Sequence, residues 1–127
     1  MEKNTTIKSF RDLRVWQVSM DLVERVYLVT QKFPKHELYG LAAQMQRAAV
    51  SIPSNIAEGY TRSYSREYLR HLSIARASLA ELQTQLEIAR RLKYCPLEQL
   101  DSLFEQMDTL GKQLFSLWKA LAKNLAP

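Results

Sequence analysis

The stretch AAVSIPSNIAEG, residues 48–59, decides the fold. Its apolar spacing is helical, yet Pro53 sits in its middle. Leu38, Ala42, Met45, Ala49, Ile52, Ile56 and Gly59 step by four and three in alternation, and the phase passes Pro53 without a slip. Those steps trace one face of an α-helix. A break at the proline would leave nothing to hold Ile56 in register with Ala49. The phase therefore predicts one helix from about Leu38 to Glu58, bent at Pro53, with Gly59 just past its end. The proline forfeits the amide bond to the Ala49 carbonyl, at a cost of about 3 kcal/mol in a helix interior. Burying Ile52 and Ile56, at roughly 1.5–3 kcal/mol each, offsets that cost. Ser51 and Ser54 stand where they can satisfy freed backbone groups. The competing reading ends one helix near Val50 and starts another with Pro53 in its first turn, capped by Ser51.

The same period extends in both directions. Helix one is expected from about Asp12 to Phe33. It carries one stripe of Leu13, Trp16, Met20, Val23, Tyr27 and Thr30, and a second of Val15, Val18, Leu22, Val26, Val29 and Phe33. Two stripes make a broader apolar face than one bundle seam needs. Phe33-Pro34 stops this helix, because a residue before proline avoids helical angles. Ser65 is the expected N-cap of helix three, with Glu67 near the positive end of its dipole. Leu72, Ala75, Leu79, Leu82, Leu86 and Ala89 mark its inner face until Tyr94-Cys95-Pro96 interrupts. Helix four follows from about Leu97, with Leu100, Leu103, Met107, Leu110, Leu114, Leu117 and Leu121 inward and Phe104, Phe115 and Trp118 widening the face. Gly111 within it marks either a close helix approach or a tolerated weak spot. Four amphipathic helices with short links predict an all-α fold, an up-down-up-down four-helix bundle over residues 10–125 behind a flexible tail at 1–9.

Composition agrees. The chain has 127 residues, enough for one domain, with only three glycines and four prolines to spend on loops. Cys95 is the single cysteine, so no intrachain disulfide forms, and an inert thiol in a reducing compartment is expected. No apolar run approaches the ~20 residues of a membrane span and MEKNTTIKSF has no signal-peptide core, so a cytoplasmic location without membrane contact is expected.

Chemistry is sparse. A di-metal site in a bundle needs several inward Glu and Glu-x-x-His pairs. Only His36 and His71 exist, and Glu67 with His71 makes one pair without a second. No metal and no cofactor is expected. Ser51, Ser54, Asn55 and Glu58 cluster without a histidine or a glycine-rich elbow. They read as groups that serve the proline or a neighbouring helix, with Glu58 pairing to Arg62 or Arg47. No catalytic residue is assigned, and a non-enzymatic protein is expected.

The net charge is +5, from 18 basic and 13 acidic residues. Such a balance permits a polyanion partner without requiring one. Residues 96–127 hold three basic and four acidic residues, so this last quarter reads as slightly negative. In YTRSYSREYLR, residues 60–70, tyrosines 60, 64 and 68 and arginines 62, 66 and 70 each step by four, two positions out of phase. Where helical, the two sets point to nearly opposite sides. Arg62, Arg66 and Arg70 then form a row that reaches phosphates, extended along helix three by Arg76, Arg90, Arg91 and Lys93.

Three blocks are familiar: FRDLRVWQ at 10–17, FPKHELYGLAAQMQRAAVSIPSNIAEG at 33–59 and LSIARASLAELQTQLEIARRL at 72–92. With them the chain resembles the four-helix-bundle family named after proteins encoded by intervening sequences in large-subunit ribosomal RNA genes. The resemblance implies the same bundle and a cyclic homo-oligomer, with a pentamer expected. It is similar, more distantly, to the accessory protein of diversity-generating retroelements, a basic pentameric barrel that binds nucleic acid and a reverse transcriptase. Fold-level likeness transfers function weakly. The expected partners are further copies of the chain, packed through Trp16, Val18, Leu22 or Trp118, and RNA or DNA on the arginines. The alternative is an interaction scaffold for another protein.

Overall fold

The computed structural model describes residues 6–62 and 64–125. Four helices carry the chain: α1 (Arg14–Thr30), α2 (Leu41–Thr61), α3 (Ser65–Arg91) and α4 (Leu97–Lys123). Among the described residues there is no strand. The helices close a square in which α1 and α3 each lie beside both α2 and α4. Cross-helix bonds run in opposite order along adjacent helices. Ser51 meets Ser78 and Asn55 meets His71 between α2 and α3. Ser73 meets Trp118 and Gln83 meets Asp108 between α3 and α4.

Helix α2 is continuous through Pro53, as the apolar phase requires. Ala49, Ile52 and Ile56 are fully buried and Pro53 itself is enclosed, so the ring adds apolar area to the core. Asn55 Nδ2 donates to the Ser51 carbonyl at 2.8 Å, a polar contact one turn from the missing donor. The ends of α2 differ from expectation. Leu38 lies in a 3-10 turn region before the helix and is 57% exposed, not part of the inner face. The helix starts later because Glu37 Oε1 accepts the Leu41 N–H at 2.9 Å, while Tyr94 OH donates to the other carboxylate oxygen. Those two hydrogen bonds hold the Glu37 carboxyl below its usual range. At the other end Gly59 is not a terminal cap. It is buried inside α2, which runs two residues further. A Cβ at Gly59 would stand 2.7 Å from His71 Cβ. The glycine is a close-approach position for α3.

Helix α1 starts after a 3-10 turn, Phe10–Asp12, whose capping box joins Ser9 and Asp12. Asp12 also accepts the Lys8 N–H at 2.8 Å, so residues 8 and 9 are tied to the turn. Residues 1–5 of the expected tail lie outside the described residues. The helix closes at Thr30, and 3-10-type bonds carry the chain to a buried Phe33. Ser65 is the first residue of α3 and not its N-cap; the extended Tyr64 precedes it and makes no side-chain cap bond.

The second α1 stripe makes the core, with Val15, Leu22, Val26, Val29 and Phe33 buried against Met45, Ile52, Leu82, Leu103 and Met107 in one cluster. Leu22 is fully enclosed, which removes it from any interface between copies. Most of the first stripe is left at the rim: Met20 and Tyr27 are exposed, and Trp16, Val23 and the second-stripe Val18 are half-buried, while Thr30 is buried with its hydroxyl donating to the Val26 carbonyl. Gly111 needs no special approach, since a Cβ there would sit 3.5 Å from Leu79 Cδ2, an ordinary contact.

Candidate nucleic-acid interface

Opposite packing lays the first half of α3 along the second half of α4. The charges there share one sign. Residues 65–80 hold Arg66, Arg70 and Arg76 against Glu67; residues 109–125 hold Lys112, Lys119 and Lys123 and no carboxylate. At the centre of this face the Arg76 guanidinium lies over Phe115 at 5.0 Å and over Trp118 at 5.4 Å. The two rings are close to parallel, 13° apart, with centroids at 6.3 Å. Trp118 Nε1 donates to Ser73 Oγ at 3.0 Å, which fixes the indole to α3. Phe115 is 44% exposed. Lys112 and Lys119 stand three and four residues from it on the same side of the helix.

This arrangement joins two residues that sequence reasoning kept apart, Arg76 as a phosphate contact and Trp118 as an interface between copies. It also adds Phe115, Lys112, Lys119 and Lys123, which were missed. A signal was available: the α4 carboxylates Glu98, Asp101, Glu105 and Asp108 all precede its lysines, so a single count over the segment hides a basic half.

The expected arginine row divides. Residues 60–70 are not one helix, because α2 ends at Thr61 and α3 begins at Ser65. Arg62 is therefore out of line with Arg66 and Arg70. All three are exposed. Arg62 pairs with Glu58 at 2.9 Å and Arg70 with Glu67 at 3.0 Å. The Arg70 bond holds the Glu67 carboxyl below its usual range. Arg66 has no partner among the described residues. Exposed ion pairs are worth about 0–1 kcal/mol, so an incoming phosphate can exchange for Glu58 or Glu67 at little cost.

Arg90, Arg91 and Lys93 lie elsewhere. From Arg66 to Arg90 the helix rises about 36 Å. Both Arg90 and Arg91 hydrogen-bond Glu87, which lowers that carboxyl to about 2. The facing half of α4 carries Glu98, Asp101, Glu105 and Asp108, and the Asp101 charge acts on Arg90. These three cations stand in an acidic setting, apart from the other face.

Behind the basic face a polar cluster joins α2 to α3. Ser78 Oγ donates to Ser51 Oγ at 2.9 Å, and Asn55 Nδ2 donates to the same hydroxyl at 3.0 Å. Buried His71 donates from Nδ1 to Asn55 Oδ1 at 2.9 Å, leaving Nε2 to accept from Arg70 at 3.3 Å. Every ring nitrogen is thus engaged, and the Ser51–Asn55 group serves the neighbouring helix. Tyr60 and Tyr68 close the same end edge to face at 6.0 Å, and burial, aided by Tyr60, pushes the Tyr68 phenol up to about 12. Among the described residues no group of three or more His, Cys, Asp or Glu could hold a metal ion. Burial pushes the half-buried Cys95 thiol up, away from reactivity. No helix among the described residues is long and apolar enough to cross a membrane.

Residues 11–116 match the model of a family described as 23S rRNA-intervening sequence protein. Among solved structures the chain is similar to a protein of unknown function from the S23 ribosomal protein family of Bacteroides thetaiotaomicron. The likeness has a TM-score of 0.77 at 24% identity and covers 83% of this chain and 98% of that one. Its identity is low enough that it speaks for the fold alone. No curated protein matches the chain.

Proposed function

This chain belongs to the family of 23S rRNA-intervening sequence proteins, and we propose that it is a non-enzymatic bundle that binds nucleic acid through the α3/α4 basic face as an assembly of identical copies. One observation carries the binding: antiparallel packing sets Arg76 against Phe115 and Trp118 and lays residues 65–80, with Arg66 exposed among them, along the stretch of α4 that holds Lys112, Lys119 and Lys123, while Arg70 turns toward α2 through His71; Glu67 is the one carboxylate in those two stretches. Phosphates are the polyanion this density of cations suits.

The assembly rests on the rim of α1. Met20, Tyr27 and Val50 are exposed beside a groove lined by Trp16, Val23, Pro53 and Ala57, an apolar strip suited to a second copy. A ring would repeat the basic face and multiply its phosphate contacts. Titration with labelled RNA and DNA over a range of salt tests the binding, which should weaken steeply as salt rises. Light scattering of the wild type and of Met20→Glu with Val50→Glu tests the assembly. A complex should give way to a monomer in the variant. Absence of binding at low salt together with an intact complex would favour the scaffold for another protein.

A further inference from the structure

We infer that the Arg76–Phe115–Trp118 cluster is a stacking site for an unpaired base, which makes single-stranded nucleic acid the ligand. The inference rests on the preceding reading of the α3/α4 face and adds what cations alone do not specify. Phosphate contacts serve a duplex and a single strand alike. An exposed ring between lysines serves only a strand whose bases are free to turn outward.

Four features make the cluster more than a stray surface aromatic. Its rings are ordered, since Ser73 Oγ holds the indole N–H and the planes lie 13° apart. Its guanidinium lies over both rings and has no carboxylate partner among the described residues, so a flat cation is part of the cluster. Phe115 is left 44% exposed although it directly follows the buried Leu114. Finally, Lys112 and Lys119 flank Phe115 along α4 by about 4.5 Å and about 6 Å of helix rise, placing cations on both sides of the ring. A base seated on Phe115 would keep its neighbouring phosphates within reach of those side chains.

The wild-type chain is used, with binding followed by a label on the strand and by its tryptophan emission, to which Trp118 contributes 6.3 Å from the Phe115 ring. Four probes of one length are titrated at fixed low salt: a mixed-sequence RNA strand, the matching DNA strand, its abasic counterpart and the blunt DNA duplex. The base-bearing strands should quench the tryptophan emission and bind roughly tenfold or more tighter than the abasic strand. Phe115→Ala should erase that gap without changing the salt slope, and Phe115→Trp should preserve it when binding is followed by a label on the strand. Equal affinity for the abasic strand or the duplex would overturn base stacking while leaving the phosphate-binding face intact. No binding by any probe would remove both. The abasic comparison needs no change in the protein at position 115, so a folding defect in a variant cannot imitate either result.

Discussion

The two halves of the α3/α4 face carry opposite charge. In one half the α3 and α4 stretches hold Arg66, Arg70, Arg76, Lys112, Lys119 and Lys123 with Glu67 as their one carboxylate, and Glu58 of α2 comes within 3.8 Å of His71 beside them; in the other they hold Arg90, Arg91 and Lys93 with Glu81, Glu87, Glu98, Asp101, Glu105 and Asp108. Helix dipoles account for much of this but not all. Carboxylates near the start of α4 and lysines near its end are what a dipole favours, as are Arg90 and Arg91 in the last turn of α3. Arg66 in the first turn of α3 and Arg70 close behind it run against the dipole. The i,i+3 pair with Glu67 gives Arg70 a local reason to be there, and local helix stability gives none for Arg66. The difference teaches that a basic residue is informative where its helix would prefer an acid, and uninformative where the helix already explains it.

The comparison breaks first on charge removal. Lys112→Gln, Lys119→Gln and Lys123→Gln together should reduce the salt slope of single-strand binding by about 2, and affinity about a hundredfold at roughly 0.1 M salt. Arg90→Gln, Arg91→Gln and Lys93→Gln together should change affinity less than about twofold, since that half repels phosphates. Equal losses in parallel titrations would mean that the halves do not differ in function.

Backbone proximity separates the ends of the core next. Gly59→Ala forces a Cβ into His71 Cβ, behind the basic half. Chemical denaturation should show a loss of about 1–3 kcal/mol from overpacking. Gly111→Ala meets only an ordinary contact with Leu79. There the helical preference of alanine should win, with a gain of about 0.5–1 kcal/mol. A neutral Gly59→Ala would mean that α3 can shift, and the Asn55–His71 bond with it.

The smallest effect belongs to the acidic half. Glu87 should remain ionised down to about pH 2, because Arg90 and Arg91 hydrogen-bond it. Since its folded value lies below the ordinary 4.5, the stabilisation it contributes is present above 4.5 and disappears as pH falls through about 2. An NMR titration of the carboxyl carbon checks the value, and Glu87→Gln should remove that acid phase from the stability profile.

The amino-acid order by itself determined the helices and the passage through Pro53, because a 3.6-residue period is local and its phase survives one missing hydrogen bond. It also carried the family, through long blocks such as residues 33–59. It misplaced the ends of α2, because Leu38 and Gly59 fit the apolar period while their actual places depend on Glu37, Tyr94 and His71. The proposed binding face depended on tertiary structure altogether. Arg76 and Phe115 are far apart in the chain, and only the direction of α4 against α3 decides whether lysines or carboxylates lie beside the arginines. Charge summed along the chain averages over that choice; the electrostatic field follows distances in space, and packing sets them.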